Sequence, residues 1–463
     1  MKSIFNIGIE EAKDSLKERS LDIAIIHLVL EGINSGGGGN ATMIRSHIDA
    51  YPAIKDALAR HNINITLYVA EIPIAKDHPS REPQDKANER IQKIKEMGGE
   101  FAYLADYTFG RPLGAVSQWS PQLGLVECWK YASASGSTAA INWVKNHDAG
   151  ILFANDCMYA MSTIYASMAA MSLGLDLICC WTVHTTAFLH ESPIPNPERL
   201  MVESAAIHWA KVYPNVRLGS ISSFMEQHLI KEYGARKETI IPTGNGVELD
   251  IDLYKQRDQS YIKKQLKDHN IPTDRSLAFS WGRGVPYKRL DMLLKACKEI
   301  EGRVHPVIMT YPMDATLLQL KKELSIDASL IESFDQELMA CLLQWERTEI
   351  SAILSFGEPC GITPMEIRAL AGNTGPILVV SDTGGLPEQV EDGIDGFITR
   401  QDNPEDIARK FLKILELPFE KKVLIRKKGY QTILNRYTCK GQIINTLSAL
   451  IPYIRVIEEE IKI

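Results

Sequence analysis

The chain lacks the features that define several protein classes. Its eight cysteines are scattered and include no Cys-x-x-Cys pair, so neither a zinc site nor a redox motif is indicated. No apolar run approaches the roughly 20 residues that span a bilayer, and residues 1–20 lack the uninterrupted apolar core of a secretory signal. The 51 Lys and Arg are outnumbered by 58 Asp and Glu, which gives a net charge of -7, and neither half of the chain is basic. These absences disfavour nucleic acid and strong membrane association and predict a cytoplasmic protein.

The composition is that of a globular protein, with 45% hydrophobic and 24% charged residues in 463 positions. This length exceeds what one hydrophobic core usually organises, so we expect two domains of roughly 200 residues each. Short β-rich apolar runs alternate with amphipathic stretches, a pattern typical of βαβ units around a parallel sheet. Strands are predicted at 21–30, 63–70, 150–155, 175–184 and 216–222, and then at 276–281, 305–310, 351–356 and 376–381. Helices are predicted between them, including 288–300 and 335–345.

A segment rich in turn formers, residues 242–250, separates the two series of strands. We place the domain junction there and predict an α/β fold of two doubly wound, Rossmann-like domains that face each other across a cleft. The predicted domains are 1–243 and 244–440, and a C-terminal helix at 441–463 is expected to pack back on the first domain. Because open α/β sheets bind ligands at the carboxyl ends of their strands, we look for function in the loops that follow strands.

The first such loop of the second half carries two cations. Gly282 and Arg283 end a predicted strand, and a helix is predicted to begin near Lys288. A planar guanidinium matches phosphate oxygens, a lysine adds a point charge, and a helix N-terminus adds unpaired amides. Together these groups suit a diphosphate. A surface turn with solvated charges has the same pattern and stays an alternative.

The second loop carries two carboxylates. Glu358 follows the predicted strand 351–356, and Glu366 lies on the first or second turn of the next helix. Gly357 and Gly361 allow the backbone to approach a ligand closely, and carboxylates accept hydrogen bonds from the hydroxyl groups of sugars. The alternative is that Glu366 only stabilises the helix dipole and that Glu358 has no role.

The third loop joins the predicted strand 376–381 to a helix with Pro387 in its first turn. Thr383 opens this loop, and exposed amides at Gly384, Gly385 and Leu386 are expected to bind phosphate or sugar oxygens. Because Gly-Gly is also a common turn signal, a plain tight turn is the competing interpretation.

In combination, the three loops resemble glycosyltransferase family 4, a group of retaining transferases with the GT-B fold that is related to glycogen and starch synthases. The resemblance lies in the order and spacing of Gly282-Arg283, Lys288-Arg289-x-Asp291-x-Leu293-Leu294-x-Ala296, Glu358-Pro359-x-Gly361-x4-Glu366 and Gly384-Gly385-x-Pro387-Glu388. Its specific part covers residues 277–398, and residues 245–247 resemble the family's interdomain turn. The first half resembles the family only in layout.

The resemblance implies a role for each loop. It implies that Arg283 and Lys288 hold the diphosphate of a nucleotide-sugar donor, that Glu366 holds its ribose, and that Glu358 positions the transferring sugar. Other implied donor-binding residues are Gly282, Gly361, Ile362, Thr363, Thr383, Gly384 and Gly385. No essential metal and no cofactor are implied, since the two cations can neutralise the diphosphate. Cys360 stands where the family usually has a bulky apolar residue, which leaves the identity of the donor open.

The first half contains a glycine loop after its first strand, with the residues Gly36, Gly37, Gly38, Gly39 and Asn40. The loop and Ala41 formally satisfy the G-x-G-x-x-A pattern of dinucleotide-binding folds. The acidic residue expected about 20 positions later is misplaced, because the second strand ends only near Glu71. Family members carry a glycine loop here that faces donor phosphate and acceptor. The lysine that glycogen synthases have in this loop is absent.

His184 ends the predicted strand 175–184, where the family commonly has a histidine that lines the donor sugar. A histidine with a purely structural role is the alternative. His190 and Glu191 follow closely, but one such pair without a third ligand is weak support for a metal site.

The resemblance implies a retaining hexosyltransferase that uses a nucleotide diphosphate sugar, above all a UDP-sugar, in a metal-independent front-face substitution. The predicted catalytic residues are Arg283, Lys288, Glu358 and His184. Between residues 101 and 198 the only basic residues are Arg111, Lys130 and Lys145. We therefore expect a soluble, non-anionic hydroxyl acceptor, such as a sugar or a small natural product.

Three alternatives stay open. One is a sugar-nucleotide-binding protein without transferase activity, and another is a pseudo-glycosyltransferase that couples a non-sugar ring. A third is an NAD-dependent enzyme that uses the glycine loop. The sequence does not fix the oligomeric state.

Overall fold

The computed structural model describes residues 3–34, 36, 38–72, 81–104, 125–191 and 194–461. Contacts between Cα atoms divide the chain into two compact units. One unit comprises Met1–Glu248 and Cys439–Ile463, and the other comprises Leu249–Thr438. The division falls inside the turn-rich segment, a few residues after the boundary expected from the sequence.

The first unit is built on a sheet whose strands all pair in parallel, in the order β3-β2-β1-β4-β5-β6-β7. The strands are β1 Leu21–Val29, β2 Ile63–Glu71, β3 Phe101–Tyr103, β4 Ala149–Asn155, β5 Leu177–Val183, β6 Val216–Ser220 and β7 Ile240–Pro242. β4 and β5 bury every side chain, and β1 nearly every one. This pattern is typical of central strands in a sheet that is covered on both faces.

In the described residues, eight α-helices come before β7, the last strand of this sheet, in chain order. They are α1 Ile9–Glu18, α2 Gly39–Ala59, α3 Gln84–Glu96, α4 Leu125–Val144, α5 Ser162–Leu173, α6 Ala187–His190, α7 Pro197–Val212 and α8 Ser223–Tyr233. Local sequence explains several ends. The Asn196 side chain caps α7 before a proline in the first turn, and α5 ends at Gly174, which is left-handed. The predicted strand 216–222 ends early because Ser222 caps α8.

The second unit has a parallel sheet in the order β10-β9-β8-β11-β12-β13. The strands are β8 Leu277–Arg283, β9 His305–Tyr311, β10 Ser329–Glu332, β11 Thr348–Ile353, β12 Ile377–Ser381 and β13 Phe397–Thr399. The helices are α9 Gln259–Asp268, α10 Asp291–Glu299, α11 Ala315–Glu323, α12 Gln336–Gln344, α13 Thr363–Ala371, α14 Pro404–Glu416 and α15 Phe419–Arg436.

Successive side chains of the second sheet enter two different cores. On β12, Ile377 and Val379 belong to one hydrophobic cluster, whereas Leu378 and Val380 belong to another. Because side chains alternate between the faces of a strand, both faces are covered. The strand order of each unit also reverses direction beside its first strand, as in doubly wound sheets. The prediction of two doubly wound domains is confirmed.

The C-terminal segment belongs to the first unit and forms α16 Cys439–Leu450 and α17 Pro452–Ile457. Ile443 and Ile454 join the hydrophobic cluster that contains β1 and β2. The single helix predicted at 441–463 is wrong, because Ile451 is extended and Pro452 starts a new helix. A proline has no N–H group for the preceding helix and disfavours the helical conformation of the residue before it.

No helix in the described part of the chain is both long enough and apolar enough to cross a membrane. The sequence missed four short strands at or near sheet edges, β3, β7, β10 and β13, each of only three or four residues. Such segments are too short to show a periodic pattern.

Candidate functional site

The three loops identified in the second half follow β8, β11 and β12, which are neighbours in the sheet. Side chains and backbone join them directly. Lys288 Nζ of the first loop lies 2.5 Å from Glu358 Oε2 of the second. The Gly385 amide of the third loop donates to the Glu358 carbonyl oxygen at 2.8 Å, and the Gly357 amide donates to Thr383 Oγ1 at 3.0 Å. The structure therefore brings the three loops together at one edge of the sheet.

A short 3-10 turn, Pro286–Lys288, holds Lys288 in place. The turn is tied to the second loop, because the Phe356 amide donates to the Tyr287 carbonyl oxygen at 2.7 Å. Arg289 then adopts a left-handed conformation with φ of 50°, so the helix starts only at Asp291. The prediction that a helix begins near Lys288 is therefore wrong, and Lys288 lies before the helix rather than on its first turn.

Lys288 and Glu358 neutralise each other in a largely enclosed position, where their side chains are only 15% and 16% exposed. Burial by itself would lower the pKa of Lys288, but the attraction of Glu358 outweighs it and raises the pKa. Lys288 is therefore charged at neutral pH. An incoming anion would have to replace Glu358 as its partner or join it.

Arg283 is the more exposed cation of this site. It is the last residue of β8, and its Nη2 donates to the Tyr287 hydroxyl group at 2.9 Å. Gly282 beside it has room for a side chain, because an added Cβ would make only ordinary contacts with the Lys288 chain at 3.5 Å. Space alone therefore does not require glycine at position 282.

Glu366 lies in the first turn of α13, as predicted. Burial raises the pKa of its carboxyl group to about 7, against the opposing effect of Lys288. Within the described ranges its carboxylate has no hydrogen-bond or ion-pair partner. Glu366 is therefore a half-buried acceptor close to the Lys288 ammonium group and available to a ligand.

The amides at the start of α13 are also available. Ile362 is the N-cap residue and provides no side-chain hydrogen bond, and Thr363 is the first helical residue. Gly361 before them has φ of 78°, a conformation that favours glycine. Gln389 fixes this loop by donating to the carbonyl oxygens of Cys360 and Gly361 at 2.5 and 2.9 Å. Cys360 itself is buried, which raises the pKa of its thiol to about 12.

The glycines of the third loop have a structural reason. An added Cβ would lie 2.1 Å from the Glu358 carbonyl oxygen at Gly384 and 2.3 Å from the Pro359 carbonyl oxygen at Gly385. The Gly385 and Leu386 amides donate within the protein, the latter to Thr383. The prediction that these two amides are available to a ligand is therefore wrong. The Gly385 amide holds the second and third loops together, and the Leu386 amide closes a turn within the third loop.

In the first unit, the glycine loop leads from β1 into α2. Gly37 lies outside the described residues. At Gly36 an added Cβ would lie 2.0 Å from an Arg45 nitrogen, and at Gly38 it would lie 2.0 Å from a Glu31 oxygen. Gly39 begins α2, and the Asn40 side chain donates to Asp156 at 3.0 Å. Side chains therefore crowd this loop from within the unit.

Glu71 is a buried residue of this region to which the sequence analysis gave no structural role. Its carboxylate accepts hydrogen bonds from the Ile33 amide and from the amide and side chain of Asn34 at 3.0, 2.9 and 2.6 Å. Burial raises its pKa to about 7. This carboxylate at the end of β2 would bind the ribose of a dinucleotide in a Rossmann enzyme. Here it holds the backbone before the glycine loop, which weakens the NAD-dependent alternative.

His184 follows β5 and is only 7% exposed. It shares a pocket with two further histidines, His27 and His47, and with Thr182. Burial lowers the pKa of His184 to about 4, so its ring is neutral at pH 7. Among the described residues, His184 Nε2 has no hydrogen-bond partner. It is suited to exchange a hydrogen bond with a ligand hydroxyl group rather than to carry a charge.

A buried ion network fixes the segment after His184. Arg199 is completely buried and binds Glu203 at 2.8 Å, Glu191 at 3.0 Å and the Thr185 hydroxyl group at 2.7 Å. Both Glu203 oxygens accept from the Ala187 amide at 3.1 Å. Glu191 is therefore a partner of Arg199. In the part of the chain that the structure describes, no cluster of three or more His, Cys, Asp or Glu could hold a metal ion.

Asp156 is a second residue to which the sequence analysis gave no role. It follows β4 with φ of 87°, which is strained for a residue other than glycine. It binds Asn40, and its charge opposes the burial effect on the pKa of His184. In the sequence, a single Asp after a strand cannot be distinguished from an Asp that only forms a turn.

Comparisons with known proteins agree with this geometry. Residues 262–432 match the family model described as "Glycosyl transferases group 1". D-inositol 3-phosphate glycosyltransferase of Mycolicibacterium smegmatis is 26% identical over 196 residues, which are 41% of this chain and 43% of that protein. D-inositol 3-phosphate glycosyltransferase 2 of Catenulispora acidiphila is 25% identical over 206 residues, 41% of this chain and 45% of that protein. The chain thus spans less than half the length of these curated relatives.

Solved structures resemble nearly the whole chain. A glycosyltransferase from Rickettsia africae has a TM-score of 0.63 at 14% identity, with 96% of this chain and 98% of that chain covered. Anabaena Alr3699/HepE in complex with UDP and glucose has a TM-score of 0.62 at 17% identity, with 92% and 100% covered. At these identities the likeness shows the fold. The predicted GT-B fold is therefore confirmed, and its segment 262–432 carries the pattern of the group 1 glycosyl transferases.

Proposed function

We propose that this chain is a retaining glycosyltransferase of family 4 that transfers a sugar from a nucleotide diphosphate donor. The observation that carries the proposal is the meeting of three loops at one sheet edge, where Lys288 contacts Glu358 at 2.5 Å beside Arg283 and Glu366. The surface formed by these loops matches the parts of such a donor. Arg283 and Lys288 suit the diphosphate, as do the amides at the start of α13, where no side chain caps the helix. The Glu366 carboxylate, which has no partner among the described residues, suits the hydroxyl groups of ribose or sugar. The group 1 match over residues 262–432 supports the same assignment.

The chemistry of the proposed reaction is electrostatic. Negative charge grows on the diphosphate as it leaves the sugar, and Arg283 and Lys288 stabilise that charge. Glu358 positions the sugar, and Glu366 accepts from the ribose hydroxyl groups. The leaving diphosphate helps to deprotonate the attacking hydroxyl group on the same face. The roles of His184 and of the glycine loop stay predictions.

We assign the donor as a UDP-sugar, in line with the UDP and glucose that the Anabaena protein binds. The acceptor is a soluble, non-anionic hydroxyl compound. The curated relatives are named for an anionic acceptor, D-inositol 3-phosphate, so this compound belongs in the acceptor panel. Transfer to it alone, with no transfer to neutral sugars, would overturn the assignment of a non-anionic acceptor.

The decisive experiment measures release of nucleotide diphosphate from UDP-, ADP- and GDP-sugars with and without acceptors, and determines the anomeric configuration of the product by NMR. Arg283→Ala should lower kcat/KM about a hundredfold or more, because a preorganised donor to the developing charge is lost. Arg275→Ala is the matched control, because Arg275 lies just before the opposite end of β8 and pairs with Asp327 on the surface. Nucleotide binding without turnover would support a sugar-nucleotide-binding protein instead.

The proposed reaction needs no metal. Arg283 and Lys288 take the place that a divalent cation has in other diphosphate sites. Turnover should therefore be the same with excess EDTA and with added Mg²⁺. A loss of activity in EDTA that Mg²⁺ restores would contradict this part of the proposal.

A further inference from the structure

A second pocket lies in the first unit at the amino ends of its strands. Ile178 and Arg217, the second residues of β5 and β6, line it together with Phe5, Ser448 and Arg455. Its volume is about 250 Å³. The glycine loop and His184 follow the carboxyl ends of β1 and β5. The pocket is therefore on the opposite edge of the sheet from the residues assigned to sugar transfer in this unit.

Two arginines line the pocket, the partly buried Arg217 and the exposed Arg455. Arg217 Nη1 donates to the backbone oxygens of Pro214 and Val216 at 2.6 and 2.9 Å. Among the described residues, neither Arg217 nor Arg455 forms an ion pair. Burial of Arg217 lowers its pKa, as expected for a cation without a neighbouring carboxylate. The guanidinium groups thus place positive charge in one pocket of a chain with a net charge of -7.

Asp176, two positions before Ile178 of the pocket wall, does not neutralise these cations. Its two carboxylate oxygens accept from the Ser3 hydroxyl group and from the Ile4 amide, each at 2.6 Å. This carboxylate therefore holds the N-terminal segment, which supplies Phe5 to the pocket wall. No acidic residue is among the described residues that line the pocket.

Apart from the two arginines, the pocket wall is largely apolar. It includes Phe5, Ile7, Ile178 and Leu450. Ser448 also lines the pocket, but its hydroxyl oxygen is enclosed within the protein. The pocket therefore combines guanidinium groups with an apolar wall.

We propose that this pocket binds a small organic anion, a carboxylate or phosphate monoester that carries a short apolar group. The oxyanion binds Arg217 and Arg455, and the apolar group packs on Phe5 and Ile178. Guanidinium groups bind both kinds of oxyanion through charge-assisted hydrogen bonds. The proposal does not depend on the proposed function, because these residues have no part in the transfer site.

The test is calorimetric titration of the full chain with hexyl phosphate, and with inorganic phosphate and 1-hexanol as partial probes. Hexyl phosphate should bind more tightly than either partial probe. Arg217→Gln and Arg455→Gln should each weaken its binding about tenfold or more, the range expected for a lost hydrogen bond to a charged group. Arg60→Gln is the control for charge, because Arg60 is exposed at the end of α2 and should leave the affinity unchanged.

Arg283→Ala separates this pocket from the transfer site. The proposal is overturned if hexyl phosphate fails to bind, if neither Gln variant weakens its binding, or if only Arg283→Ala weakens it.

Discussion

Removing the negative charge of Glu358 should tighten the binding of UDP while it impairs sugar transfer. In the free protein, Glu358 is bound to the ammonium group that is assigned to the diphosphate. UDP lacks the transferring sugar that Glu358 is proposed to position, so this carboxylate competes for Lys288 and repels the phosphates. Glu358→Gln removes both effects and keeps the shape of the side chain.

The size of the effect follows from the geometry of the pair. The two atoms are 2.5 Å apart and both side chains are about 15% exposed, so the contact is a hydrogen bond between charged groups worth about 1.5–3 kcal/mol. A glutamine oxygen still accepts from Lys288, but without the charge. If half of the interaction is released to the diphosphate, about 0.8–1.5 kcal/mol is gained, which is a four- to twelvefold lower Kd.

Calorimetric titration with UDP at constant ionic strength measures this change. Glu420→Gln controls for the net charge, because Glu420 is exposed at the start of α15. Glu358→Gln should also be compared in two backgrounds, the unaltered protein and Lys288→Met. In the Lys288→Met background it should give no gain in UDP affinity, since the gain comes from a released Lys288. An unchanged or higher Kd in Glu358→Gln would refute partner exchange, and an equal gain in both backgrounds would attribute the effect to general repulsion.

Three other perturbations test the remaining parts of the structure. Below pH 7 the UDP affinity of the unaltered protein should fall relative to that of Glu366→Gln, by at most about tenfold per pH unit, because protonation of an acid with a pKa of about 7 removes the ionised acceptor proposed for ribose. Identical pH profiles in calorimetry would contradict this. Gly384→Ala should lower the Tm more than Gly393→Ala, because both glycines have positive φ but only the first would meet a carbonyl oxygen at 2.1 Å; equal losses would show that the contact does not matter. Arg199→Met should lower the free energy of unfolding by about 3–5 kcal/mol, because two carboxylates lose their buried partner, whereas the exposed Arg60→Met should have little effect in urea denaturation.

The sequence predicted the fold because its central strands are long and apolar. β4 and β5 are buried on both faces, so their continuous apolar runs stand out from the amphipathic helices around them. Edge strands such as β3 and β13 are three residues long and have no comparable signal. The predicted helix at 288–300 began too early because residue 289 adopts a left-handed conformation, and an arginine gives no sign of it.

The sequence predicted where the candidate site residues lie better than it predicted the contacts between them. Spacing along the chain showed that Arg283, Lys288, Glu358 and Glu366 follow strands, which placed them at one sheet edge. It did not show which of these groups bind each other, because that depends on side-chain directions in three separate loops. Gln389 was missed for the same reason, since its contacts are carbonyl oxygens 28 or more positions away.

The ion pair changes how the predicted donor site should be understood. The resemblance assigns Lys288 to the diphosphate and Glu358 to the sugar, as if each waited for its own part of the donor. In the structure Lys288 and Glu358 bind each other. Because their charges cancel, Lys288 contributes little to attracting an anionic ligand from solution. In the proposed mechanism, Arg283, the exposed cation at the end of β8, supplies that attraction. Binding of the diphosphate would then draw Lys288 from Glu358, and the same exchange would leave the Glu358 carboxylate ready to accept from the sugar. Under this proposal, a pair that keeps two charges neutral in the free protein prepares both for the donor, which a set of separate binding residues would not do.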